Sequence, residues 1–259
     1  MNSQAPQTAP RHRVQGAARW LCCVCVLGVL APGCRSRDVP PDQSSSAAAP
    51  AELGDEWQTQ LVAVQSGESE AIRIVQQVIG PRELSDLQSV PNLTELLLDA
   101  GAVDDAGLVV IAGLKQLEHL RIRGGAVTDI GLAHLAAGNL ESLRIINLPQ
   151  ASVTAVGIGH LAALPALVQV RFGGAGIDDQ AVAELAKLPQ LRSLHLIAPK
   201  LTERALDELA HAPKLASFYL DDCLLGEAAW EKLFAAKPGL HVHMDQAHHD
   251  RDPNRHLHP

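Results

Sequence analysis

The sequence predicts an α/β solenoid, with parallel strands lining the concave side of an arc and helices on the convex side. Two patterns point there. The motif L-x-x-L-x-L recurs at Leu93/Leu96/Leu98, Leu117/Leu120/Ile122, Leu140/Leu143/Ile145, Leu167/Val170/Phe172, Leu191/Leu194/Leu196 and Leu215/Phe218/Leu220, at spacings of 24, 23, 27, 24 and 24. After each copy the apolar spacing changes from two to three, the change from strand to helix. Composition agrees: hydrophobic residues make up 47 % of the 259, aromatic ones 3 %, so the core is built from Leu, Val, Ile and Ala in even layers.

The first segment is an address rather than a fold. Arg11, Arg13 and Arg19 precede an apolar run from Trp20 to Ala31 that ends at Pro32-Gly33-Cys34. A basic start, a short apolar stretch and a small-residue exit are the marks of a secretory signal, here residues 1–33. The run is too short to span a bilayer as a helix, which takes about 20 residues. Gly33-Cys34 resembles the lipobox of bacterial lipoproteins, and this resemblance implies a lipid on Cys34 and a membrane anchor. A plain signal peptide or an uncleaved short anchor are the alternatives.

Loss of residues 1–33 would remove Cys22, Cys23 and Cys25, leaving only Cys34 and Cys223, so no disulfide framework is expected. It would also take the chain from a net charge of -8 to -11, because three arginines go and no acid does. That balance argues against a nucleic-acid partner. Residues 34–55, rich in Pro, Ser and Ala, read as a flexible tether. The repeat domain follows over 56–244. Glu52 to Gln65, with Trp57, Leu61, Val62 and Val64, is expected as its N-terminal cap helix, and about seven units include a degenerate first copy at Ile72, Ile74 and Ile79.

Within a unit each segment suits its place. Thr or Asp stands where an N-cap oxygen is needed, and the acid after it, as at Asp105, Asp129 and Asp179, lies at the positive end of the helix. Pro91, Pro165, Pro189, Pro213 and Pro238 keep the helix from running on. At the far end Trp230 and Phe234 enlarge the last helix, and Leu240, Val242 and Met244 alternate as a closing edge strand. Cys223 is expected as a small buried residue.

The chain resembles the leucine-rich repeat proteins, in particular bacterial forms with 24-residue repeats carrying V-T-D-x-G-L after the strand, here Val127-Thr128-Asp129-Ile130-Gly131-Leu132. The resemblance covers residues 69 to about 244 and implies a ribonuclease-inhibitor-like horseshoe that binds other molecules on its inner wall. The asparagine that many members place after the strand is absent here.

The outward column of the strands reads Arg73, Leu97, Arg121, Arg144, Arg171, His195 and Tyr219. Arg121, Arg144 and Arg171 would form a cationic ladder with Arg123 beside it, and like charges on adjacent strands repel. Two arrangements relieve this: neutralisation from within by Glu95, Glu118 and Glu141, or an external anion carried by a protein or an anionic glycan. In the second case Arg121, Arg123, Arg144, Arg171, His195 and Tyr219 form the binding site. The longest unit is expected to bulge at Leu148, Pro149 and Gln150.

Residues 245–259 are expected to be a disordered His-rich tail with no defined metal site, because His241, His243, His248, His249, His256 and His258 lack fixed ligand spacing on a rigid element. Beyond the expected signal segment, neither G-x-S-x-G, H-E-x-x-H, a phosphate loop nor a paired-cysteine motif occurs. The expectation is therefore an exported, lipid-anchored binding scaffold of the bacterial envelope, without turnover or cofactor. The alternatives are a metal-binding envelope protein acting through its tail, and an inhibitor or accessory of an envelope enzyme.

Overall fold

The computed structural model describes residues 55–253. The expected signal segment, Cys34, nearly all of the tether, His256 and His258 lie outside the described residues. Nine strands form one sheet in chain order: β1 (Ala71–Ile74), β2 (Glu95–Leu98), β3 (His119–Ile122), β4 (Ile145–Leu148), β5 (Gln169–Gly173), β6 (Ser193–Ile197), β7 (Ser217–Asp221), β8 (His241–Met244) and β9 (Ala247–His248). Every neighbouring pair is parallel except β8 with β9. The helices are α1 (Glu56–Gln65), α2 (Pro81–Ser85), α3 (Asp105–Ile111), α4 (Asp129–Ala137), α5 (Ala155–His160), α6 (Asp179–Ala186), α7 (Glu203–Ala210) and α8 (Glu227–Ala236).

Strand alternation sends one set of side chains inward in every unit. Ile72, Leu96, Leu120, Ile146, Val170, Leu194, Phe218 and Val242 stand in register across the sheet, each fully buried. Helix residues such as Leu108, Leu132, Ile158, Val182, Leu206 and Trp230 belong to the same continuous core. Each such side chain contributes about 1.5–3 kcal/mol by leaving water, and only neighbouring units supply the cover.

The helix starts are capped as the sequence predicts: Asp104, Thr128, Thr154, Asp178 and Thr202 accept from backbone N–H groups of the first turn. The acid that follows has a further role. Asp105, Asp129 and Asp179 each reach into the next unit, where Thr128, Thr154 and Thr202 donate to them through backbone N–H and hydroxyl together. The carboxylate also explains the glycine of V-T-D-x-G-L. A Cβ at Gly131 would lie 2.4 Å from Asp105 Oδ1, and one at Gly157 would lie 2.2 Å from Asp129 Oδ1.

One unit was out of register in the sequence pattern. Leu140/Leu143/Ile145 fits L-x-x-L-x-L by coincidence; the true copy is Leu143/Ile146/Leu148, since Ile146 pairs with Leu120 and Val170. Leu140 instead fills the buried loop position of Leu114, Leu164 and Leu188. The extra length therefore lies between Leu135 and Leu140, at the end of α4 and the turn after it, where Asn139 takes a φ of 50°. No bulge occurs at Leu148, Pro149 and Gln150, because Leu148 pairs directly with Phe172.

The N-terminal cap is α1, with Trp57, Leu61 and Val64 buried. Val62, expected on that apolar face, is 58 % exposed because it lies a turn from neither Trp57 nor Leu61. At the other end Leu240 and Val242 are buried as expected, but the chain does not stop at an open edge. After Met244 it turns through Asp245 and Gln246, both at positive φ, and β9 pairs back on β8. The expected disorder is thus corrected for 245–253: His249 is buried with its ring 4.9 Å from Trp230 and 5.2 Å from Phe234, and apolar stacking of this kind orders a segment that looks polar in sequence. Cys223 is half-buried against the core.

Candidate functional site

The face of the sheet opposite the core carries the outward side chains. In register, the central column reads Arg73, Leu97, Arg121, Asn147, Arg171, His195, Tyr219 and His243. Asn147 holds the place expected for Arg144. Arg144 precedes β4, is exposed, and lines a shallow groove at the strand-entry rim with Glu118, Ser142 and Gln190. The continuous ladder is accordingly broken: Arg121 and Arg171 are two strand steps apart, roughly 10 Å.

Most of the cations have internal partners, but not the full set of acids expected. Glu95 pairs with Arg73 and lies 3.2 Å from His119 Nδ1. Burial works to raise its pKa, and the hydrogen bonds and charge interactions with Arg73 and His119 together outweigh burial, leaving it below the ordinary carboxylate value. Asp99 holds Arg121 at 2.7 Å and Arg123 at 3.6 Å. Asp221 meets His195 Nε2 at 2.7 Å. Glu118 and Glu141, which precede β3 and β4, form no ion pair among the described residues. Asp99 and Asp221 each directly follow the last core residue of their strand, Leu98 and Leu220, and that position, read across the units, was the signal that would have shown them.

Arg171 differs from its neighbours. It is half-buried between Asn147 and His195, and no carboxylate forms an ion pair with it among the described residues; its Nε, like that of Arg121, is buried without a hydrogen-bond partner. Burial, and after it the charge of Arg123, lowers its pKa from the ordinary value, against the charge of Asp221. Next along the column His195 and Tyr219 stand with ring centroids 5.5 Å apart, and Tyr219 is 5.0 Å from His243. The column thus passes from cationic to aromatic along the open face.

At its C-terminal end β8 and β9 bring together His241, His243 and His248, with one ring nitrogen of each within 4.8 Å of the others. No fixed spacing in the sequence marks this set. Stepping 24 residues along the strand columns from Ser217 and Tyr219 does reach His241 and His243; His248 needs the hairpin.

No family model matches the chain, and neither does any curated protein. Among solved structures it is similar to an internalin from Listeria monocytogenes, at a TM-score of 0.52 and 19 % identity over 68 % of this chain. The match covers 47 % of that protein, so the chain corresponds to about half of its length. Together with the sheet and its register, the likeness defines the fold as a leucine-rich repeat solenoid. None of the helices among the described residues is long and apolar enough to cross a membrane.

Proposed function

We propose that this chain is an exported, lipid-anchored scaffold of the bacterial envelope, which binds a protein partner on the open face of its sheet and catalyses no reaction. Arg171 carries the reading. Its neighbours Arg73, Arg121, Arg123 and His195 each pair with an internal carboxylate, whereas Arg171 forms no ion pair among the described residues and its Nε, like that of Arg121, is buried with no hydrogen-bond partner. A carboxylate on a partner supplies the missing acceptor, since a guanidinium fork matches a carboxylate in two hydrogen bonds. His195 and Tyr219 beside it offer the flat, amphipathic surface that concentrates binding energy at interfaces. Export and the lipid on Cys34 rest on the basic, apolar and small-residue order of the first 34 residues.

Quantitative capture of partners from the native envelope by the wild-type chain, by Arg171→Gln, by Tyr219→Ala and by Arg144→Gln tests this. Arg171→Gln and Tyr219→Ala are expected to lose the partner, and Arg144→Gln, off the face, to retain it. Equal recovery by all four discards the site, and recovery of glycan in place of protein changes the class of partner. Mass spectrometry of the mature N-terminus tests the anchor: a diacylated or triacylated Cys34 supports it, and any other first residue removes it.

A further inference from the structure

The three histidines at the end of the sheet are arranged by the backbone rather than by proximity in sequence. His241 and His243 are two residues apart on β8 and therefore project from the same face. The turn at Asp245 and Gln246 returns the chain antiparallel, and the register sets His248 directly opposite His243. Ring centroids of His243 and His248 are 4.1 Å apart, those of His241 and His243 4.7 Å, and those of His241 and His248 5.1 Å. All three rings are half-buried, so the cluster is reachable from solvent.

A buried carboxylate stands behind them. Asp252 is 2 % exposed, and its Oδ2 lies 2.7 Å from His241 Nδ1 and 3.2 Å from His248 Nδ1 while accepting from the Val242 backbone N–H at 3.1 Å. A carboxylate at Nδ1 holds the proton there and leaves Nε2 with its lone pair outward, the arrangement that orients histidines around metal ions. His241 Nε2 in turn is 3.0 Å from His243 Nε2. Two ligands of a tetrahedral zinc ion, with bonds of about 2.0–2.1 Å, sit roughly 3.3 Å apart, so this pair needs only a small outward shift.

We propose that His241, His243 and His248 bind one divalent ion of the zinc class, with Asp252 as the carboxylate that orients two of the three rings. Three imidazoles suit a borderline ion such as zinc and not calcium or magnesium, which take oxygen ligands. The fourth position goes to water. The ion ties β9 to β8 and so closes the end of the solenoid; metal binding and the order of the closing hairpin are one equilibrium. The site adjoins the partner surface, since the His243 and Tyr219 ring centroids are 5.0 Å apart.

Calorimetric titration of zinc chloride into the full chain tests this, with His256→Gln and His258→Gln introduced to remove two competing imidazoles. One ion per chain is expected. His243→Gln and His248→Gln should each weaken binding at least tenfold, and Asp252→Asn should weaken it about 10–100-fold. Cobalt(II) in place of zinc should give intense visible absorption from tetrahedral coordination, absent in His243→Gln. If Asp252→Asn fails to fold, the two histidine variants carry the test, because their side chains are half-exposed and contribute little to the core. Substoichiometric zinc, or wild-type affinity in both His243→Gln and His248→Gln, overturns the site.

Discussion

The Asp105 carboxylate leaves its own repeat to clamp Thr128 of the next, which donates to it through the backbone N–H at 2.7 Å and through the hydroxyl at 2.6 Å. The same Thr128 hydroxyl accepts from the Ile130 N–H and so caps α4. One threonine thereby joins a helix start to the previous repeat. Asp105→Ala removes both cross-repeat bonds and leaves their donors unsatisfied in a partly buried place. The expected cost is about 2–3 kcal/mol, a fall in Tm of roughly 4–10 °C for a domain of this size, to be read from thermal melts.

Two glycines of one helix should respond in opposite directions. In α5, a Cβ at Gly157 would press on Asp129 Oδ1 at 2.2 Å and its Cα at 2.9 Å, while one at Gly159 would meet nothing within 4 Å. Gly157→Ala is expected to destabilise by about 1–3 kcal/mol through overpacking, and Gly159→Ala to stabilise by about 0.5–1 kcal/mol through helix propensity. Urea denaturation of the two variants should place their midpoints on either side of the wild type; midpoints shifted together would remove the clamp from the explanation.

His195 sets a pH dependence. Burial lowers its pKa below the ordinary value of 6.5, and the nearby Arg171 adds to that, against the hydrogen bond and charge of Asp221. Tyr219 is the other titratable group packed on the ring. With the folded pKa below the unfolded one, the unfolded chain takes up the proton first. The stability from the neutral ring is therefore complete above about pH 6.5 and is lost as pH falls through the folded value. An NMR titration of the His195 ring should show a midpoint below 6.5, and Asp221→Asn should lower it further; an increase in that variant would assign the dominant role to some other group.

The closing layer is expected to be indispensable. Leu240 and Val242 are buried, and β8 covers the edge of β7. Ending the chain before Pro238 would bare Phe218, Leu220 and Trp230 together with an unpaired strand edge, a template for self-association. Light scattering after size-exclusion chromatography should show concentration-dependent oligomers, whereas a monomer with an unchanged melt would mean that α8 closes the core unaided.

Much of this molecule was legible because the repeat states each requirement several times over. A single Leu93 or Asp105 says little, but the same residue type at the same step in successive units leaves one arrangement of strand, cap and helix that buries them all. Where two matches overlapped, as at Leu140 and Leu143, the motif could not choose between them. Core volume did, because placing Leu140 in the leading position would have left Ile146 facing solvent.

From the sequence alone came the α/β solenoid, its caps and the sign alternation of its strands, since these follow from local spacing and from burial that every unit repeats. Only the tertiary structure decided which acids neutralise Arg121 and Arg123, that Asn147 and not Arg144 stands in the column, and that His248 closes on His243. Those pairings depend on register across strands and on a hairpin without a repeat to announce it, and such contacts come from the packing of distant segments rather than from any periodicity along the chain.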